Sequence, residues 1–423
     1  MKKIILSTIL AAAIIFGAQT ANAQRILTYE EYMTNVREKN IEYIVEKHNI
    51  SIAEANAQAA KVMPDPELSF IYDDSDDGPP QDRLYGKFIG AELGYTLELG
   101  GKRRARMAIA RSEQQMTEAL VEDFFRNLRA DATLSYLESL MQKQLAGLAL
   151  SSYQSMRDLA RGDSLRYALG EIAEVDVMQS RLEAATMMTD YFQAEAGYRN
   201  MLSDLTVFEG GAAAIDSLSG SLPLIIRVYQ LQNLIDLAQD NRADLQAAIR
   251  NRELSAANLR LAKANRIIDM GLNIGFGHNM QALSEVSPTV PFNTYSAGVS
   301  VPLKFSNFNR GELRAAQFSE QQADAMYDAV LLQIRNEVVQ SYNSYISACR
   351  QAELYQNRTL ADAASILEKK RYSYSRGETS LLEVLDAQRT ANEVYQTYYE
   401  ALYNANASLV ELCRAVGIWD VEF

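Results

Sequence analysis

The sequence predicts a mainly α-helical protein with a small β part, built from two copies of one long-helix unit. Three observations carry this. Proline is scarce at 8 of 423 residues, while stretches rich in Ala, Leu, Gln and Glu run for tens of residues, as long helices require. Four short stretches alternate apolar with polar or small residues, the period of a β-strand. And the chain repeats itself: "SEQQ" at Ser112–Gln115 returns at Ser319–Gln322. At that same offset Gly170 meets Gly377, Glu171 meets Glu378, Asp176 meets Glu383 and Val177 meets Val384.

Residues 1–23 read as an export signal: Lys2 and Lys3, an apolar run to Phe16, then the small-x-small pattern Ala21-Asn22-Ala23. The run is shorter than the roughly 20 apolar residues of a membrane-spanning helix. The first repeat is expected over 24–208: a helix, strands at about 67–73 and 86–99, and a long helical hairpin with its tip near 170. The small-residue stretch 209–224, "EGGAAAIDSLSGSLPL", reads as a linker. The second repeat, 225–423, is expected to have strands at about 271–282 and 294–305 and a hairpin tip near 377.

In the clearest strand, "FIGAELGYTLEL", Ile89, Ala91, Leu93, Tyr95, Leu97 and Leu99 form one face and Gly90, Glu92, Gly94, Thr96 and Glu98 the other. Such two-faced strands of about ten residues suit a tilted transmembrane β-strand. Four strands close no barrel, and open edges are not viable in lipid, so further copies of the chain are needed. Two copies give 8 strands; three give 12 and more room for a polar pore. From Lys102 to Arg161 about 60 residues pass without proline, about 90 Å of helix at 1.5 Å per residue. Leu134, Leu137, Met141, Leu145 and Leu148, and again Leu331, Ile334, Val338, Tyr342 and Tyr345, keep the 3, 4, 4, 3 spacing of coiled-coil seams.

Several functions are disfavoured. The formal net charge is −13, and loss of Lys2 and Lys3 makes the exported chain more acidic, unlike a nucleic-acid binder. His48, His278, Cys349 and Cys413 show no metal-ligand spacing. No nucleophile–base arrangement is visible, so no catalytic residue and no cofactor is expected. "LGGKRR" lacks the first glycine and the Ser or Thr of a phosphate loop.

Four stretches carry a family resemblance: "MPDPELSF" (Met63–Phe70), "LELGGKRRAR" (Leu97–Arg106), "YALGEIAEVDVMQS" (Tyr167–Ser180) and "YSRGETSLLEVLDAQ" (Tyr374–Gln388). With the strand pairs and duplicated halves, they resemble the TolC-like outer-membrane factors (the outer membrane efflux protein family). The "GGKR" junction is similar to that of the CzcC-type heavy-metal efflux branch. The resemblance implies a homotrimer with a shared 12-stranded barrel in the outer membrane of a Gram-negative bacterium and a helical coiled-coil tunnel in the periplasm. It implies a periplasmic adaptor (membrane fusion protein) and an inner-membrane RND-type transporter as partners. The function expected is a passive exit duct of a tripartite efflux pump for metal ions or small toxic compounds. The rival expectations are a type I protein-secretion duct and a secreted coiled-coil scaffold without a pore.

The resemblance also assigns residues. Tyr374, Glu383, Asp386 and Asp176 match the positions that ring and latch the periplasmic aperture. Gly170, Glu171, Arg376, Gly377, Glu378 and Thr379 form the adaptor-contacting tips, and Thr379 stands where TolC has a latch arginine. Gly170 and Gly377 suit helix-ending left-handed turns, and Ser380 to Glu383 fits a capping box. Lys102, Arg103, Arg104 and Arg106 open a helix, where the helix dipole disfavours cations. Acidic lipid head groups at the membrane interface are the expected compensation.

Overall fold

The structure is a computed structural model that describes residues 25–77, 84–211, 213–280, 290–303 and 308–420. The signal segment 1–23 lies outside them. The described residues form two compact units, and each draws on both sequence repeats: those within 46–123 with 243–333, and those within 25–45 with 124–242 and 334–420.

The first of these units holds the sheet. β-strands at Glu67–Asp77, Leu84–Leu97, Met270–Asn279 and Phe292–Ser300 are antiparallel throughout. With a two-residue strand at Ile26–Leu27 as β1 and another at Ser217–Leu218 as β4, they are β2, β3, β5 and β6, in the order β2-β3-β5-β6. The repeats meet at the centre of the sheet, where β3 pairs with β5 and Gly90 stands opposite Gly277. The register keeps the alternation in step across all four strands. Phe70, Ala91, Phe276 and Tyr295 share one face, and Ser69, Glu92, Gly275 and Ser296 the other. The apolar face is bare: Phe70 is 79% exposed, Tyr295 78% and Ile274 62%.

The strand ends differ from the sequence reading for local reasons. β2 runs past residue 73 to Asp77 because its ladder with β3 continues through Asp73–Asp77, against the poor strand propensity of aspartate. β3 stops at Leu97, before 99: the Leu99 N–H donates to Asp269 Oδ1 at 3.0 Å, and Gly100 and Gly101 turn left-handed. β5 ends at Asn279, and the expected residues 281–282 lie outside the described ones. β6 ends at Ser300, just before Pro302, which has no N–H for a ladder; 304–305 again lie outside.

The described residues also form nine α-helices and a π-turn. The helices are α1 (Tyr29–Lys39), α2 (Ile41–Ala59), α3 (Lys102–Ala168), α4 (Glu174–Phe208), α5 (Leu231–Asn241), α6 (Ala243–Ala264), α7 (Arg310–Leu354), α8 (Leu360–Ser375) and α9 (Leu381–Val416), and the π-turn, Tyr355–Thr359, lies between α7 and α8. α3 continues seven residues beyond the expected Arg161, and Gly147 does not break it. The sequence seams are the packed faces: Leu137, Ile334, Val338 and Tyr345 are at or below 1% exposure.

In the second unit the small-residue stretch after α4 is pinned rather than slack. Glu209 is fully buried and accepts from Arg25 Nη2 and Asn35 Nδ2, both at 2.8 Å. β1 lies parallel to β4, Lys143 Nζ donates to the Leu218 carbonyl at 2.6 Å, and Asn406 Nδ2 donates to that of Pro223 at 2.7 Å. Cys349 and Cys413 are free, buried thiols, and burial raises the pKa of both.

Candidate functional site

Both hairpin tips lie in the helix-rich unit and share one backbone device. Gly170 (φ 78°) and Gly377 (φ 76°) are left-handed. At the end of α3 the Gly170 N–H donates to the Tyr167 carbonyl and the Glu171 N–H to that of Arg166, both at 2.9 Å. At the end of α8 the Gly377 N–H donates to Tyr374 and the Glu378 N–H to Ser373, both at 3.0 Å. These paired bonds are the Schellman closure, which satisfies the last carbonyls of a helix. The following helix starts differ. Ser380 caps α9 by accepting from the Glu383 N–H, whereas Ala173 at the start of α4 offers no side-chain cap.

The side chains of the second tip are tied down. Tyr374 is 8% exposed and packs with Leu381 and Val384, against Leu159 and Leu385. Its hydroxyl donates to Asp163 Oδ1 at 2.9 Å, and Asp163 is 1% exposed. Burial, reinforced by the Asp163 carboxylate, holds the Tyr374 phenol well above its ordinary pKa. The Arg166 guanidinium lies 5.3 Å from the Tyr374 ring centroid and 3.3 Å from Glu171 Oε2, so Glu171 is an ion-pair partner within its own tip.

Asp163 and Arg166 were not among the residues singled out from the sequence. A signal for Asp163 exists: Ser152, Met156, Ala160 and Asp163 continue the α3 seam with 4, 4, 3 spacing, so a carboxylate stands at a core position. Asp176 lies half-exposed in the first turn of α4.

Glu383 and Asp386 line one open groove together with Glu183, Asp190, Lys370 and Arg389. Each has a cation in its own chain: Lys370 Nζ bonds Glu383, and Arg389 Nη2 bonds Asp386 Oδ1 at 2.7 Å. Hydrogen bonds from Lys370 and Thr379 lower the Glu383 pKa. Thr379 therefore hydrogen-bonds Glu383 from the position where the resemblance places an arginine. Neither nearby arginine takes that role within this chain. Arg371 reaches Gln388, and Arg376 lies over the Tyr372 ring at 4.6 Å.

The junction residues lie in the sheet-bearing unit, apart from the tips. Lys102 is buried and its Nζ is 2.6 Å from Asp269 Oδ2. Arg103 Nε donates to the Lys61 carbonyl at 2.9 Å, and Arg106 binds both Glu98 oxygens. Partners inside the chain thus offset the dipole at the start of α3. Arg104 is the exposed member of the set.

Comparison with known proteins agrees with this geometry. Residues 234–418 match the outer membrane efflux protein family. The cobalt-zinc-cadmium resistance protein CzcC of Cupriavidus metallidurans is 22% identical over 92% of this chain and 90% of its own. Outer membrane protein TolC of Vibrio cholerae is 22% identical over 74% of this chain and 70% of its own. The crystal structure of CusC superposes with a TM-score of 0.75 at 16% identity, covering 95% of this chain and 96% of that one. Residues 234–418 thus resemble the outer membrane efflux protein family, and along its length the chain has the fold of the outer-membrane channel on which it superposes.

Proposed function

We propose that the protein is the outer-membrane exit duct of a tripartite efflux pump, a passive channel rather than an enzyme, reaching into the periplasm of a Gram-negative bacterium. One observation carries the reading: an otherwise helical chain holds a four-stranded antiparallel sheet with a bare apolar face and two open edges, β2 and β6. Unpaired edges cannot remain in lipid. β2 and β6 run in opposite directions, so β6 of one copy can continue the antiparallel order beside β2 of the next. Three copies make a 12-stranded barrel with the apolar face toward lipid and the polar and small face toward a lumen. The duplicated halves 24–208 and 225–423, joined through 209–224, supply two strands each.

The tips Gly170–Glu171 and Arg376–Thr379 meet a periplasmic adaptor, which links the duct to an RND-type inner-membrane transporter. Tyr374, Asp176, Glu383 and Asp386 form the aperture, with Asp163 as the acid that holds Tyr374. Carboxylate rings favour cations, and the likeness to CzcC makes metal ions the first cargo to test, with small toxic compounds the alternative. Arg104 is the junction residue free to meet lipid head groups.

The experiment is to purify the protein in detergent, determine its oligomeric state and reconstitute it in planar bilayers. A trimer with stepwise conductance is expected; a monomer without conductance overturns the reading. Glu383→Ala with Asp386→Ala is expected to weaken block by multivalent cations, and unchanged block removes both residues from the aperture.

A further inference from the structure

On the face that holds mostly small and polar groups the described strands carry two aromatic side chains, Phe88 and Phe292, besides Ile71. Phe88, near the hairpin end of β3, shares its face with Gly90, Glu92 and Gly94. Its ring lies over Gly90 two residues on and over Gly277, the residue opposite Gly90 on β5. The fit leaves no room for another side chain. A Cβ at Gly277 would stand 2.2 Å from Phe88 Cε2 and 2.4 Å from Cζ, and one at Gly90 2.8 Å from Cε1 and Cζ. Real Cβ atoms do not approach so closely, so any residue but glycine at 277 forces the Phe88 ring to move. An aromatic ring covering a neighbouring glycine is a recognised way to stabilise a β-sheet. Here the two glycines form a recess that receives the ring flat.

We infer that Phe88 is a permeation-determining residue of the duct, parked in a recess made by Gly90 and Gly277 that keeps the outer lumen wide. The inference rests on the barrel reading above, in which this face lines the lumen. A three-fold barrel sets three such rings at one level. Recessed, each adds about the thickness of a ring to the wall. Displaced by rotation about its χ1 bond, each points inward, and together they narrow the bore with apolar surface at the level of Asp73, Asn279 and Phe292, the inner-face residues in register with Phe88. The layers nearer the helix junction lack any comparable ring: Glu92 pairs with Gly275, and Gly94 with Asn273.

The test is single-channel conductance in planar bilayers for wild type, Gly277→Ala, Phe88→Ala and the double variant. Gly277→Ala is expected to lose conductance because its methyl group evicts the ring. Phe88→Ala is expected to conduct at or above the wild-type level. The double variant should recover what Gly277→Ala lost, since the evicted group is gone. A Gly277→Ala channel that conducts like wild type overturns the inference, as does a double variant no better than Gly277→Ala. If Gly277→Ala does not assemble, Phe88→Trp takes its place: a ring too large for the recess must reduce conductance, and an unchanged value overturns the inference. Failure of wild type itself to conduct defeats the barrel reading instead, which keeps the two apart.

Discussion

The two hairpin tips share a backbone and differ in nearly everything attached to it. Tyr374 is 8% exposed, and Tyr167, its counterpart in the first repeat, is 45% exposed. The first tip leaves Leu165, Leu169, Val175, Met178 and Leu182 exposed. At the equivalent positions the second has Tyr372, Arg376, Leu382, Leu385 and Arg389, with Leu385 packed into its core and Arg389 paired with Asp386. Glycine and the Schellman bonds set how the chain turns; the flanking side chains set what the turn does. In our reading the apolar first tip offers a contact surface, and the second is the part that latches.

The largest expected effect separates the tips by their tyrosines. Tyr374→Ala removes a buried ring and should cost about 3–5 kcal/mol in denaturation of the purified protein. Tyr167→Ala should stay within about 0.5 kcal/mol, as for an exposed site. Equal losses would end the distinction. Tyr374→Phe isolates the hydroxyl. It leaves Asp163 buried without that donor, at about 1–3 kcal/mol, and should raise the resting leak in bilayers. The pH dependence has a defined sign. The Tyr374 pKa is raised on folding, so its contribution is complete below the ordinary value of 10.0 and is lost as pH rises through the folded-state value. Tyr374→Phe should flatten that alkaline limb.

The backbone gives the converse test. Gly170→Ala and Gly377→Ala should each cost about 1–2 kcal/mol, and equally, because the strain is in φ and a Cβ at either site meets nothing within 4 Å. The caps come next: Ser380→Ala should cost about 1 kcal/mol, and Ala173→Ser should stabilise the first tip by a similar amount. The smallest effect is at Glu383, which is exposed to solvent. Its pKa is lowered, so its contribution is present above the ordinary value of 4.5 and lost as pH falls through the depressed one. Glu383→Gln should remove that acid limb from a stability–pH curve while leaving the alkaline limb intact.

Much of the fold was legible because its signals are local and periodic. Alternation marked three strands plainly and the one after Glu67 less clearly, and the glycine at each bend marked a left-handed helix end. What escaped depended on distant partners. The extension of β2 over Asp74–Asp77 comes from pairing with β3, which overrides residue preference. The cations at Lys102–Arg106 looked uncompensated because Asp269 is 167 positions from Lys102. The seam phase of Ser152, Met156 and Ala160 marks Asp163 as buried, but only the fold brings it to Tyr374. Arg371, eight residues before Thr379, is turned by its helix face to Gln388.

The two buried cysteines make the tips unusually easy to watch. A thiol that is both enclosed and held above its ordinary pKa offers little thiolate to an alkylating reagent. A single cysteine placed at exposed Leu169 or Glu378 would therefore be labelled against a quiet native background. Fluorophores or spin labels at those positions turn the spacing of neighbouring tips into a direct optical or magnetic readout of opening, without first stripping the protein of its own sulfur.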